Sequence, residues 1–306
     1  MPTINASELE RETGLSKDLL RKWRSRYGFP LPLSARSGYS PEQVAQLRLI
    51  RRLLDCGFRP QQVVGKTHQE LTQLADATAG LVAEADEPSF TRDALALLKQ
   101  YDLDGLDRLL GEKRAAQSLQ DFIELTVGPL LVGLGQAWAR GEIEVYHEHL
   151  CSNILIRRLY LEIASVSPKP GYPRILFATP SEELHVLGLL MAQAVLADQG
   201  AHCINVGPHI PARDLEMAAH ACQAGIVALS FSFAYPKWRV RPILQNLREK
   251  LPATMEIWAG GAGAAFIKRA PRGVRIFSDL HAAALAVQHM AGQSARQADT
   301  GKAGPI

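Results

Sequence analysis

Apolar residues recur at three- and four-residue spacing through the first half of the chain, and in short unbroken runs through the last third. Over the first ~66 residues the spacing predicts three short helices. ASELERETG reads as a helix that starts near Ala6 or Ser7 and stops at Gly14. Ser16 supplies an N-cap for a second, KDLLRKWRSRYG, with Gly28 as its stop. FPLPLSARSG is proline-rich and predicts a loop or β-wing. Ser40-Pro41-Glu42 opens a third helix, with Val44, Leu47, Ile50 and Leu54 on one face and Gly57 at its close.

From 68 to 165 no strand signal occurs. Leu95, Leu98, Leu103, Leu106, Leu109 and Leu110 fall at helical spacing. Phe122, Leu125, Val127, Leu130, Leu131 and Leu134 follow, then Leu150, Ile154, Leu155 and Leu159. This pattern predicts a four-helix bundle, joined to the head by the polar stretch near Ala83–Ser89. After the breaker SPKPGYP the period changes to short apolar runs: 174–179, 202–207, 226–232, 256–260 and 274–277. Helical patterns alternate with them at 184–199, 211–223, 237–250, 262–269 and 279–291. The expected fold is therefore multidomain, α and α/β. A winged helix-turn-helix head (1–70) precedes a bundle (85–166) and a flavodoxin-like, Rossmann-type five-stranded parallel sheet (172–292), and a disordered tail (293–306) closes the chain. Ligands on such sheets bind at the carboxyl ends of the strands.

Composition changes this picture in two ways. The net charge of +3 over 306 residues conceals an asymmetry. Residues 1–67 hold twelve Lys/Arg against six Asp/Glu, so they carry +6, and the remainder carries −3. A basic head on a mildly acidic body points to a polyanionic partner at one end. The four cysteines (Cys56, Cys151, Cys203, Cys222) form no CxxC pair, which argues for a reducing, cytoplasmic setting and against structural zinc. No apolar run reaches ~18 residues, so no membrane association is expected.

The second helix concentrates Lys17, Arg21, Lys22, Arg24 and Arg26 within three turns, with Trp23 and Tyr27 among them. Arg and Lys suit phosphates and guanine edges, and the loop adds Arg36 and Tyr39. A solvated basic helix with Trp23 in the core is the alternative. The order of elements decides between them. The W-x-x-R-Y-G ending, the S-G-Y wing and the helix S-P-E-Q-V-x-x-L-x-x-I resemble the DNA-binding head of the MerR family, with Ser40 where an Arg often follows the wing Tyr. That resemblance implies binding as dimers to a double-stranded operator.

In the last third, Glu183-x-His185-x-x-Gly188 follows the first strand. Forty-one residues then precede Ser230-Phe231-Ser232, and twenty-seven more precede Gly260-Gly261. This resembles the D-x-H-x-x-G, S-x-L, G-G signature of corrinoid domains that bind cobalamin base-off and His-on, with Glu for Asp and Ser232 for Leu. Imidazole is a good cobalt ligand. The resemblance makes His185 that ligand and Glu183 the acceptor for its second ring N–H. Ser230, Ser232, Gly260 and Gly261 would shape a slot for the displaced nucleotide tail. A helix-capping or core histidine is the plain alternative for His185.

Trp138, nine residues, then Glu148-His149 would by itself be a loop and a helix start, with Trp138 as core. Beside the corrinoid signature it resembles the W-x9-E-H motif of the MerR-family cobalamin-dependent photoreceptor repressors of the CarH/LitR type. The resemblance implies that Trp138, Val145, Glu148 and His149 surround the upper, adenosyl group of adenosylcobalamin. It also implies a non-enzymatic regulator, a dimer or tetramer, that releases DNA in light. The family has a His immediately after the Trp, and this chain has Ala139. Two alternatives accompany this reading: a cobalamin sensor without light as its input, and a corrinoid carrier for methyl transfer.

Overall fold

The computed structural model describes residues 3–13, 15–33, 38–55, 58–79 and 89–300. The chain folds as two compact units. One lies within Met1–Lys99 and Leu130–Glu148, the other within Gln100–Pro129 and His149–Ile306.

The first unit opens with α1 (Ala6–Thr13), α2 (Lys17–Tyr27) and α3 (Pro41–Asp55). Asn5 Oδ1 accepts the N–H groups of Ser7 and Glu8 at the start of α1. Ser16 caps α2 by accepting the Leu19 N–H, and Gly28 ends it by donating to the Arg24 carbonyl. Leu9, Leu15, Leu20, Trp23, Leu47, Ile50 and Leu53 are buried together, each worth roughly 1.5–3 kcal/mol of transfer free energy. A single turn, α4 (Pro60–Val63), and α5 (His68–Ala79) extend this core, with Val63 and Leu71 inside it. The sequence pattern had assigned the α5 stretch to the middle segment. Its packing on α3 makes it part of the head. The linker expected near Ala83–Ser89 lies outside the described residues up to 88. From Ser89 onward α6 (Ser89–Lys99) forms, and Lys99 pairs with Glu142 at 3.4 Å.

In the second unit, α7 (Leu103–Ala116) is capped by Asp102, whose side chain accepts the Gly105 N–H at 2.8 Å. A short turn, α8 (Leu119–Asp121), runs into a π-helix over Phe122–Val127. Two long helices follow, α9 (Gly128–Arg140) and α10 (Val145–Ser165). Arg114 grips Glu162 with two bonds of 2.9 Å, and Arg158 reaches Asp107 at 2.7 Å, so α7 and the later turns of α10 are fastened at two points. The Arg158 and Arg157 guanidiniums outweigh burial and hold Asp107 below the ordinary carboxylate range. The π-helix changes the phase of its face. Phe122, Ile123, Thr126 and Val127 turn inward, and Leu125, expected in the core, is 64% exposed.

The rest of this unit is a five-stranded sheet of order β2-β1-β3-β4-β5, parallel throughout. The strands are β1 (Arg174–Pro180), β2 (His202–Ile210), β3 (Ile226–Ser230), β4 (Glu256–Gly260) and β5 (Val274–Ile276). The crossovers are α11 (Leu187–Asp198), α12 (Ala212–Ala221) and α13 (Lys237–Lys250), with α14 (Leu280–Thr300) after β5. Central strands β1 and β3 are apolar and buried almost end to end, as expected for a sheet covered on both faces. The helix expected over 262–269 is absent. The chain there makes turns, because Gly263 N–H bonds back to the Phe231 carbonyl at 2.9 Å and holds the backbone against β3's exit loop. Helix α14 runs to Thr300, past the expected start of a disordered tail, and 301–306 lie outside the described residues.

Candidate functional site

Strand β1 ends at Pro180, and the six residues 181–186 lead into α11. Glu183 points back inside and is 1% exposed. One carboxylate oxygen accepts the His185 N–H at 2.9 Å and lies 2.7 Å from His185 Nδ1. The other accepts the Ser232 N–H at 2.8 Å and its hydroxyl at 2.7 Å. Burial pushes the Glu183 pKa up, but the hydrogen bonds from His185 and Ser232 outweigh it and hold the carboxyl below its usual value. A buried carboxylate beside Nδ1 keeps the proton there. Nε2 then carries the ring's lone pair, on a side chain that is 64% exposed. This is the arrangement a metal-ligating imidazole needs.

Beside it a cavity of roughly 190 Å³ enters the sheet's carboxyl edge. Gly188, Ser230, Gly260, Gly261, Phe177 and Trp258 are among its lining. A Cβ at Gly188 would meet Ser230 Oγ at 3.1 Å, and one at Gly261 would meet the Phe231 carbonyl oxygen at 2.4 Å. The slot therefore depends on residues without side chains. It is narrow, largely apolar and next to the exposed imidazole, as a planar heterocycle would require.

The head presents a different surface. Lys17, Arg21, Lys22 and Arg26 are exposed on α2. Tyr27 is half-buried, with the Arg26 guanidinium 5.5 Å from its ring centre. Three expected DNA contacts are turned inward. Trp23 and Tyr39 are each 3% exposed and belong to the head's core. Arg24 is half-buried and committed inward, donating to the Tyr39 hydroxyl at 2.6 Å and to the Pro30 carbonyl at 3.0 Å. The physical reason is amphipathicity: Leu20 and Trp23 form the apolar stripe of α2, so only the opposite face remains for phosphates. Arg36 lies outside the described residues.

Two stretches of the chain, the head and part of the helical segment, match known families. Residues 4–69 match the MerR HTH family regulatory proteins, and residues 91–161 match a B12 binding domain. The HTH-type transcriptional repressor CarH of Myxococcus xanthus is 29% identical over 258 residues, covering 82% of this chain and 86% of CarH. CarA of the same organism is 28% identical over 274 residues, covering 86% of this chain and 88% of CarA. The chain is a homologue of these transcriptional repressors, with a MerR head and a B12-binding region. Its relatives are regulators of transcription, not enzymes. The monomethylamine corrinoid protein of Methanosarcina barkeri has a similar fold, with a TM-score of 0.52 at 14% identity over 67% of this chain and 99% of that one.

For a cobalamin-binding repressor homologue the site residues fit their cofactor. His185 is presented in the right tautomer by Glu183, and the glycine-walled slot suits a nucleotide tail. Among the described residues no cluster of three or more His, Cys, Asp or Glu could hold a metal ion. Among the described residues Cys151, Cys203 and Cys222 form no disulfide, and burial pushes the Cys203 thiol up to about 12. Cys56 lies outside the described residues. No described helix is long and apolar enough to cross a membrane.

The W-x9-E-H residues sit on two helices. Trp138 is half-buried on α9, and Val145, Glu148 and His149 lie in the first turns of α10, with Val145 and His149 exposed. His147 between them is buried and accepts the Glu144 N–H through Nδ1 at 3.1 Å. Sequence reasoning missed the residues that fix the 181–186 loop. Thr179 donates to the Glu183 carbonyl, Tyr235 donates to the Ser181 carbonyl, and Arg239 pairs with Glu182. They lie on β1, in the loop after β3 and on α13, and no spacing along the chain connects them.

Proposed function

We propose that the chain is an adenosylcobalamin-dependent, light-responsive transcriptional repressor in which cofactor state controls oligomerisation and DNA occupancy. Three parts divide the work: the head (1–70) reads an operator, the helical segment (85–166) meets the upper face of the cofactor, and the α/β part (172–292) holds it from below. The observation that carries this reading is the Glu183–His185–Ser232 constellation beside its slot, on a chain that also bears a MerR head. When bound, adenosylcobalamin supplies a cobalt–carbon bond that light can break. His185 would ligate the cobalt, and Gly188, Ser230, Gly260 and Gly261 would admit the tail. Trp138, Val145, Glu148 and His149 are assigned to the upper group on the W-x9-E-H spacing and the homology.

Cofactor binding changes DNA occupancy only through a difference in affinity between two assembly states. A dimer or tetramer that presents paired heads gains avidity on a near-palindromic operator. The experiment is size-exclusion chromatography of the purified protein with adenosylcobalamin, in darkness and after green light. Assembly in the dark and its loss in light support the proposal, and an unchanged state in light overturns the photoreceptor part. A dark change on cofactor addition that light does not reverse supports a cobalamin sensor without light, the reading that Ala139 favours.

A further inference from the structure

The segment that carries His185 has no regular ladder of its own. It is gripped from the end of β2. There the register with β1 shifts twice, so that Ala178 pairs with Gly207 and Pro180 with Ile210. Such irregularities re-aim side chains next to sites. Here they lay His209 against the loop. His209 Nδ1 accepts the Glu182 N–H at 2.7 Å. The His209 N–H in turn lies 3.0 Å from Thr179 Oγ1 and 3.2 Å from the Glu183 carbonyl oxygen. Thr179 donates to that same carbonyl at 2.6 Å.

Glu182 (φ 70°) and His209 (φ 61°) both occupy the left-handed region, uncommon for residues with side chains. Two strained residues thus hold each other, and the peptide units before Glu182 and after Glu183 are both bonded to one histidine. The next residue, Glu183, sets the His185 ring. Because Nδ1 of His209 accepts a backbone N–H, its own proton sits on Nε2, and Nδ1 is already engaged.

We infer that His209 is a positioning residue for the cobalt ligand: its Nδ1 fixes the Glu182 peptide, which holds Glu183 and so His185 in ligating geometry. The inference rests on the reading of His185 as the cobalt ligand. His209 is not among the residues that line the cavity.

The test uses the full-length protein titrated with hydroxocobalamin, followed by the absorption change of imidazole coordination, with thermal unfolding of each cofactor-free variant alongside. Asn places an acceptor near the position of Nδ1, Gln places one nearer Nε2, and Gly relieves the left-handed backbone while removing the acceptor. His209→Gly and His209→Gln should weaken coordination roughly threefold to tenfold, the worth of one hydrogen bond, and His209→Asn should restore it. Wild-type coordination in His209→Gly and His209→Gln overturns the inference, as does failure of His209→Asn to rescue. His185→Ala runs in parallel. Coordination that survives His185→Ala overturns the ligand assignment and this role with it. Coordination lost there but intact in His209→Gly overturns the role of His209 only.

Discussion

Glu183 and His185, two residues apart, are joined twice through one carboxylate oxygen, at the His185 N–H and at Nδ1. The backbone bond fixes the loop and the ring bond fixes the tautomer. All four groups facing this carboxylate donate or carry a proton toward it. Glu183→Gln would turn an amide N–H₂ toward two of those donors, at a buried position. We expect a loss of about 1–3 kcal/mol in cofactor-free stability by denaturant unfolding, and weaker cobalamin coordination. The pH dependence has a definite sign. Because the folded carboxyl is held below its ordinary value, its contribution is present above the unfolded pKa and is lost as pH falls through the folded one. Stability of the wild type should therefore fall as pH drops below about 4.5, and less steeply in Glu183→Gln. A parallel pH profile in the two proteins would contradict this.

Gly188 separates two functions of the site. Its missing side chain keeps Ser230 at the wall of the slot, whereas His185 lies outside the cavity lining. Gly188→Val should fill the slot and weaken cobalamin binding by about tenfold, the scale of a small overpacking strain. A corrinoid without the nucleotide tail, such as cobinamide, should bind Gly188→Val and wild type alike. Calorimetric titration with both ligands makes the distinction. Equal losses for the two corrinoids would mean that the slot does not take the tail.

How much of this was legible in the chain depends on the range of each interaction. Helices α1, α2 and α3 were readable because Ser16, Gly28 and the apolar stripe act within a few residues of where they stand. The parallel sheet was readable because buried strands are apolar throughout. Leu125 was misplaced because a π-helix changes the period locally, and no residue type announces that change. Trp23 and Tyr39 were placed among the DNA contacts because aromatics beside arginines suit either a core or a phosphate. Packing of the third helix and of Leu71 decides for the core. His185, Ser230 and Gly260 were singled out by their spacing along the chain. Thr179, His209 and Tyr235 could not be, since they act through backbone groups brought near only by the sheet.

The head offers a contrast between neighbours on α2. Arg21 is 75% exposed and paired only loosely with Asp18 at 3.0 Å, while Trp23 is in the core. Arg21→Ala and Lys22→Ala should leave thermal stability nearly unchanged. Each should lower the slope of log binding constant against log salt by about one, as expected for a lost phosphate contact. Trp23→Ala should instead destabilise the head by about 3–5 kcal/mol, and lose DNA binding through unfolding. Fluorescence anisotropy over a salt series, with unfolding curves for each variant, checks both. A salt slope unchanged by both Arg21→Ala and Lys22→Ala would remove this face of α2 from the interface.

The root of the wing gives the last prediction. Tyr39 and Ile4 exchange both backbone hydrogen bonds, at 3.1 and 2.9 Å, and the Tyr39 hydroxyl anchors Arg24. Gly38, with φ of 68°, lies so close to Ile4 that a Cβ there would fall 2.2 Å from its carbonyl oxygen. Tyr39→Phe keeps the ring in the core and removes only the anchor, so it should cost about 1 kcal/mol. Gly38→Ala must both hold a left-handed backbone and separate the Ile4–Tyr39 pair, so it should cost more than Tyr39→Phe. DNA affinity should fall in the same order, because the bridge ties the wing's root to the segment before α1 and the Arg24 anchor ties it to α2, the helix that carries the exposed cations. Cobalamin binding should not change in either variant, since its ligand and slot belong to the other unit. Equal DNA affinity in Gly38→Ala and wild type would show that operator binding does not depend on how the wing is rooted.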